Sequence, residues 1–567
     1  MSGNRSLSEV HSSVATAHPS LWRRAFAFAG PAYLVSVGYM DPGNWATDIE
    51  GGARFGYQLL WVLVLSNAMA ILLQTLSARL GIASGLDLAQ ACRLTYPKLV
   101  SKALWVLCEL AIAACDLAEL LGAAIGLNLL FGIPLIYGVL LTTLDTFLVL
   151  WFTRFGIRVM ESIILAFITI IAACFFMEIF LSKPVWGDVA GGLIPRLNFD
   201  NLYVAIGILG ATVMPHNLYL HSSLVQTRRI SEGDEAKRDA CKYNLVDSVI
   251  ALNGALLVNA SILILAAATF FSNGIVVTEI KQAHQLLAPL LGTGLASVAF
   301  AIALLCSGQS STITGTMAGQ IVMEGFLDIR MRPWLRRLIT RAVAVIPAVL
   351  TILWVGDKAV YQLLIFSQVI LSLQLPFAVI PLIRFTSDPK RMGAFASPAW
   401  VKTLAWTAAS IILVLNGLLA WETISRWLVA WPLVGFIVIP INLAIGALLV
   451  WLIAEPWLRK GQPEAEPAIT PKVQFDLGEP LYRRILVPLD HSRLDAETLL
   501  HATALARSHN ATVILLHVEE DVTSFLYGSD SSTAEVEQGH QYLESLRTSI
   551  EASGVATELV VTHGGRV

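Results

Sequence analysis

Charge is scarce in this chain. Only 14% of its 567 residues are Asp, Glu, Lys or Arg, and 56% are hydrophobic. A soluble domain carries about 25% charged residues. The shortfall means that most of the chain has no water to face. Paired cysteines are also missing. Six stand singly, at 92, 108, 115, 174, 241 and 306, with no CxxC and no disulfide-like spacing. A thiol–metal site or a disulfide framework is therefore not expected. Met1 to Ser20 is polar, and the first apolar stretch is long enough to span a bilayer, so no cleavable signal peptide is expected. The net charge of -3 argues neither way about nucleic acid, and no such partner is expected. No nucleophile–base pair or hydrolytic metal motif stands outside the apolar segments, which argues against an enzyme.

What the chain has is apolar length. A spanning helix needs about 20 mainly apolar residues. On that criterion about twelve segments qualify: 25–47, 58–80, 103–131, 134–152, 157–181, 202–223, 245–271, 286–322, 338–355, 359–384, 401–421 and 431–454. Lys and Arg fall unevenly between the loops. If the N-terminus is cytoplasmic, the inside loops hold about three times as many as the outside ones. The expected organisation is a cytoplasmic tail (1–24), a membrane domain (25–455), a linker (456–481) and a C-terminal domain (482–567). The protein would sit in the inner or plasma membrane, in contact with lipid, with both termini cytoplasmic.

Two spans are interrupted. Span one contains Met40-Asp41-Pro42-Gly43-Asn44, and span six contains Ala211-Thr212-Val213-Met214-Pro215-His216-Asn217. Pro and Gly loosen a helix, and bare backbone is tolerated in a membrane only where protein or a water-filled cavity covers it. The breaks lie five spans apart, which is the pattern of a five-plus-five inverted repeat with an ion site where they meet. A pair of ordinary proline kinks, with Asp41 as a helix cap, is the plainer alternative. An ionisable group at membrane depth is costly, and favours a site. Asp41 offers a hard anionic oxygen, Asn44 an amide oxygen, residue 211 a freed carbonyl and Met214 a thioether. Magnesium and calcium want oxygens alone, whereas a thioether suits softer ions. The set reads as manganese, ferrous iron, cobalt or cadmium. Met214 by itself would read as core packing.

These residues resemble the Nramp family of proton-coupled metal-ion transporters. The resemblance covers about 25–455. It rests on Asp-Pro-Gly-Asn at 41–44 within Gly38 to Tyr57, on Met-Pro-His at 214–216, and on Gly308-Gln309-Ser310-Ser311-Thr312-Ile313-Thr314-Gly315-Thr316. It implies an all-α polytopic membrane protein of the LeuT type, importing manganese or ferrous iron. By family analogy Asp41, Asn44, the Ala211 carbonyl and Met214 bind the metal, and Gln368 joins them in some states. No resident cofactor is implied.

The family's driving ion is the proton. Span three carries Glu109, Asp116 and Glu119 on one helical face, which reads as a proton relay involving Asp41. Arg341 is the natural counter-charge, and His216 titrates near neutral pH in its ordinary state. A static salt-bridge network is the competing account of these residues. Asp145, Glu161, Glu178 and Asp247 are read as interfacial or structural.

After the polar linker the pattern changes. Strand 484–490, helix 494–508, strand 512–518, helix 534–553 and strand 556–562 alternate as in a parallel α/β sheet. Ile485 to Ser492 and His517-Val518 resemble the universal stress protein domain. The resemblance implies ATP binding through a glycine-rich loop after a fourth strand. The sequence ends at Val567, before that loop, so nucleotide binding stays open. Asp490, at the carboxyl end of its strand, is a candidate nucleotide-side acid or a helix N-terminal acid. Two rival functions remain in view. One is an organic-substrate symporter on the same fold, and the other is a metal sensor signalling through the C-terminal domain. The oligomeric state is left open.

Overall fold

The computed structural model describes residues 11–16, 20–143, 155–231, 233–277, 279–328, 333–356, 359–430, 435–458, 482–489, 494–519 and 534–563. Asp145 and Asp490 lie outside the described residues. The chain divides into two compact units, Met1–Gln462 and Pro463–Val567.

The first unit is helical. A short strand β1 (Val14–Ala15) precedes α1 (Leu21–Phe28) and the two halves of span one, α2 (Pro31–Gly38) and α3 (Pro42–Phe55). Then come α4 (Leu60–Ser84), α5 (Leu88–Thr95), α6 (Lys98–Phe131) and α7 (Ile157–Ser182). Span six is α8 (Phe199–Thr212) and α9 (Pro215–Leu224), followed by β2 (Arg228–Arg229). The rest are α10 (Asp234–Thr269), α11 (Ile280–Leu291), α12 (Gly294–Leu327), α13 (Pro333–Val355), α14 (Ala359–Ser387), α15 (Ala399–Ala430) and α16 (Gly435–Leu458).

Among the described residues, nine helical segments are long and apolar enough to cross a membrane. One of them, Pro42–Ser84, holds the second half of predicted span one and all of span two. Leu338–Trp354, at predicted span nine, is a shorter apolar helix. Predicted span four is described only in part and is helical at 135–143. Span eight needs a correction: the run 286–322 is two helices. Gly292, at φ +71°, ends α11 in the left-handed region, and Thr293 caps α12 by accepting from Leu295 N at 3.2 Å. The apolar run hid a turn that only the backbone angle reveals.

The breaks are held in a closely packed core. Trp45 of α3 lies edge-on to Phe175 of α7 and Phe300 of α12, at 4.8 and 5.3 Å. Helices α6 and α12 approach through small residues. A Cβ on Gly308 would lie 2.9 Å from the Ala123 amide nitrogen, and one on Gly315 would lie 2.9 Å from Glu119 Oε1. That contact explains the glycine spacing of the 308–316 stretch.

The second unit is a three-stranded parallel sheet, β3 (Arg484–Leu489), β4 (Thr512–Glu519) and β5 (Thr557–His563), with β4 in the middle. Helices α17 (Leu494–His509) and α18 (Ala534–Ala552) connect the strands. Its core is built on Val487, Leu489, Val513, Leu515 and Leu543. Each described element overlies its predicted counterpart to within a residue or two.

Candidate functional site

Two prolines make the site. In a helix the carbonyl of residue i accepts from the amide of residue i+4. Pro42 and Pro215 have no amide hydrogen, so the Gly38 and Ala211 carbonyls lose their helical donors. Both turn toward one group. Asn44 Nδ2 donates to Ala211 O at 3.1 Å, to Gly38 O at 3.4 Å and to Asp41 Oδ1 at 2.6 Å. The two breaks therefore meet, as the inverted-repeat pattern requires.

The remaining freed groups are satisfied locally, as buried backbone must be. Met40 O accepts from Trp45 Nε1 at 3.1 Å and from Ser307 Oγ at 2.5 Å. Tyr39 O accepts from Asn259 Nδ2 at 2.7 Å. Asp41 caps α3 by accepting from Asn44 N at 2.9 Å. Its other oxygen faces Gln368 Nε2 of α14 at 3.5 Å. Gly43 permits that approach, because a Cβ there would overlap the Gln368 amide. Asp41, Asn44, Ala211, Met214 and Gln368 are all buried. Met214 immediately precedes α9, at its N-cap, and packs in a small cluster with Ala111 and Cys115 of α6 and Leu371 of α14.

The span-three acids divide. Asp116 pairs with Arg341 at 3.3 Å, and Arg341 Nη2 also donates to Thr312 Oγ1 at 3.0 Å. Glu119 is buried, and its Oε1 accepts from the Cys115 thiol at 3.5 Å. Glu109 is only half-buried and accepts from Trp105 Nε1 at 3.1 Å. The structure thus gathers Asp116, Glu119 and Arg341, and gives Glu109 a separate partner. His216 is buried beside Met214, and its Nδ1 has no partner among the described residues.

Two further polar groups stand near the first break, one built on residues not singled out in the sequence and one built on Asp247 and Glu161, which the sequence reads as interfacial or structural. Tyr39, Gln74, His221 and Asn244 form a chain on the α2 side of the break. Gln74 Nε2 donates to Tyr39 Oη at 2.8 Å, His221 Nδ1 lies 3.0 Å from Gln74 Oε1, and Asn244 Nδ2 lies 3.3 Å from His221 Nε2. At the start of α2, Asp247 Oδ2 accepts from Gly30 N at 3.1 Å and Ala32 N at 3.0 Å. Beside it, Glu161 pairs with Arg228 and Arg158, both at 2.8 Å. Each of these residues is polar in an otherwise apolar helix or at its end, which is the signal that could have found them.

A pair of half-helices on each side of a buried carboxylate, five spans apart, defines a LeuT-type transporter. The closed-conformation structure of Mhp1, a nucleobase-cation-symport-1 family transporter, shares this fold, with TM-score 0.52 at 15% identity over 78% of this chain and 95% of that one. The family model described as natural resistance-associated macrophage protein-like, Nramp, matches residues 32–422. Proteins named divalent metal cation transporter MntH are similar over most of their length. The one from Mesorhizobium japonicum is 57% identical, covering 74% of this chain and 94% of its own. The one from Nostoc sp. is 55% identical, covering 75% and 98%. The Eremococcus coleocola manganese transporter, solved as its H236A mutant, superimposes with TM-score 0.74 at 39% identity, over 80% of this chain and 99% of that one. The chain belongs to the Nramp family. The universal stress protein family model matches residues 481–566, so the second unit is a domain of that kind.

Proposed function

We propose that the protein imports divalent transition-metal ions with protons, manganese or ferrous iron first and cobalt and cadmium after them. One observation carries this reading. The Asp41 carboxylate and the Gly38 and Ala211 carbonyls converge on the Asn44 amide hydrogens. Acceptors arranged around a positively polarised group suit a cation in its place. Asn44 needs only to turn its amide to present Oδ1, and Met214 adds sulfur from the adjoining residue of the second break. The relatives named as metal cation or manganese transporters support the same cargo. Both termini lie in the cytoplasm on this reading, because Lys and Arg concentrate there.

Protons are assigned to Asp116, Glu119 and His216 with Arg341 as counter-charge, and to Asp41 itself. Glu109, about two turns earlier on α6 than Asp116, is the third carboxylate assigned to the relay. Manganese uptake into proteoliposomes, with internal pH followed in the same vesicles, tests the whole reading. Uptake without acidification would remove proton coupling, and no uptake would remove the cargo. Asp116→Asn and Glu119→Gln should keep metal binding and weaken the dependence of uptake on external acid. If both variants acidify the lumen like the wild type, these residues are a static network.

Met214 is assigned discrimination. Magnesium and calcium are abundant and bind oxygen readily, and one sulfur among the ligands disfavours them. Met214→Ala should still carry manganese at reduced apparent affinity. It should lose more for cadmium and become inhibitable by calcium or magnesium. Competition of labelled manganese against excess calcium measures this, and an unchanged ratio would return Met214 to packing.

A further inference from the structure

We propose that the cavity between β1, α1 and the start of α7 holds the headgroup of an anionic phospholipid, with its phosphate between Arg23 and Arg158. The inference is independent of the cargo and needs only that the chain spans a membrane.

The cavity has a volume of about 430 Å3 and is lined by Val14 and Ala15 of β1, Arg23, Phe26 and Ala27 of α1, and Arg158 in the first turn of α7. Arg23 and Phe26 stand one turn apart on α1, so a cation and a ring share one side of the helix. Arg23 is exposed and has no ion-pair partner among the described residues. Arg158 is fixed in place. Its Nη1 donates to Glu161 at 2.8 Å and to Ala29 O at 3.0 Å, and its Nη2 donates to Ala27 O at 2.7 Å and Phe26 O at 3.2 Å. A guanidinium already held this way loses little side-chain freedom when a ligand arrives.

Positive charge is in excess in this corner of the fold. Glu161 serves both Arg158 and Arg228. Asp247 is taken up by the Gly30 and Ala32 amides. Arg229 stands in register with Ala15 of the cavity wall. Four guanidiniums, of Arg23, Arg158, Arg228 and Arg229, thus face two carboxylates, and the ligand that suits this balance is an anion.

The apolar surroundings decide which anion. Phe26 is 71% exposed on the cavity wall. Leu165 lies two turns beyond Arg158 on the same face of α7 and is exposed. Ser162 and Thr169 share that face, and their hydroxyls donate back to the Arg158 and Leu165 carbonyls, at 2.9 and 2.8 Å. The face therefore offers a lipid chain an apolar stripe. Only 22% of the apolar window of α7 is buried within the protein, so the rest meets acyl chains. A free phosphate gains nothing from that surface. A phospholipid uses both parts, its phosphate at the arginines and its chains along α7, as basic pockets at the ends of spanning helices do with anionic headgroups.

The test uses the full chain in neutral detergent, with dioctanoyl phosphatidylglycerol as the probe and native mass spectrometry to read the bound fraction. Dioctanoyl phosphatidylcholine and inorganic phosphate are the parallel arms. The wild type should bind phosphatidylglycerol in preference to both. Arg23→Gln should lower that apparent affinity about fivefold, the share of one arginine at a membrane surface, and Arg23→Glu should lower it further. Lys98→Gln is the control. It removes an exposed cation at the start of α6, which is span three and crosses in the same direction as span one, and it should leave the affinity unchanged. Equal binding of the two lipids by the wild type overturns the proposal, and so does an Arg23→Gln affinity equal to wild type. An equal loss in Lys98→Gln and Arg23→Gln also overturns it, because the attraction is then diffuse. Displacement of phosphatidylglycerol by an equal concentration of inorganic phosphate overturns the lipid as occupant and leaves a free anion.

Discussion

Asp41→Asn should abolish manganese uptake while leaving the transporter folded. The asparagine variant is the informative one because Asp41 has two jobs in the structure. It caps α3 by accepting from Asn44 N, and it supplies the only full negative charge among the proposed ligands. Asparagine is as good a cap as aspartate, and its oxygen can still accept from the Asn44 amides. What it removes is the charge. Stripping one partner from a buried ion pair costs about 3–5 kcal/mol, which is at least about a hundredfold in affinity. Asp41→Ala should lose the same affinity and also about 1 kcal/mol of helix capping. Uptake, metal binding and thermal stability are measured on both variants at matched surface level. Near-normal manganese uptake by Asp41→Asn would leave the acid as a cap alone.

The parts of this site that could be read in the sequence share a physical reason. A proline inside an apolar run frees a carbonyl whatever surrounds it, so Pro42 and Pro215 announce the breaks. A carboxylate in such a run demands a partner, so Asp41, Asp116 and Glu119 stand out. What could not be read depends on which faces meet. The Gly38 carbonyl was not among the expected ligands, yet it is related to Ala211 by the same proline rule. Gly43 looked like part of a helix break, and its packing role appears only with the Gln368 amide in place. Glu109 shares a face with Asp116 by spacing, but Trp105, one turn away, takes its carboxylate. Asp247 and Glu161 were read as interfacial or structural. Glu161's partner Arg228 is distant from it in sequence, and Asp247 reaches the Gly30 and Ala32 amides from another helix, so the cluster has no periodicity to betray it. The C-terminal unit was legible because alternating strands and helices carry their own period.

Arg228→Ala should unlock the N-terminal end of span one. At that end α1 runs into α2 through Gly30, at φ +139°, where a Cβ would overlap both the Arg228 guanidinium and the Glu161 carboxylate. Arg228 Nη2 donates to Ala29 O at 2.6 Å, and Arg158 donates to the carbonyls of Phe26, Ala27 and Ala29. Asp247 holds the first amides of α2 from the other side. Strand β2, which contains Arg228, also pairs with β1, so the N-terminal strand lies on the same lock. Arg228 and Glu161 are 2% and 1% exposed, so water does not screen the pair. Removing one member of such a pair costs about 3–5 kcal/mol. Glu161 keeps Arg158, whose side chain is 43% exposed, and that holds the loss to the lower end of the range. A shift of about 3 kcal/mol moves an equilibrium between locked and released ends by about a hundredfold. Hydrogen–deuterium exchange across residues 26–39 should therefore accelerate strongly in Arg228→Ala. A double replacement of Glu161 and Arg228 by leucine should recover stability, since apolar pairs replace buried ion pairs without loss. It should not recover slow exchange in full, because the Arg228 hydrogen bond to Ala29 O stays lost and Arg158 alone remains on that carbonyl. Exchange at the wild-type rate in Arg228→Ala would mean that Asp247 and Arg158 hold the helix end unaided.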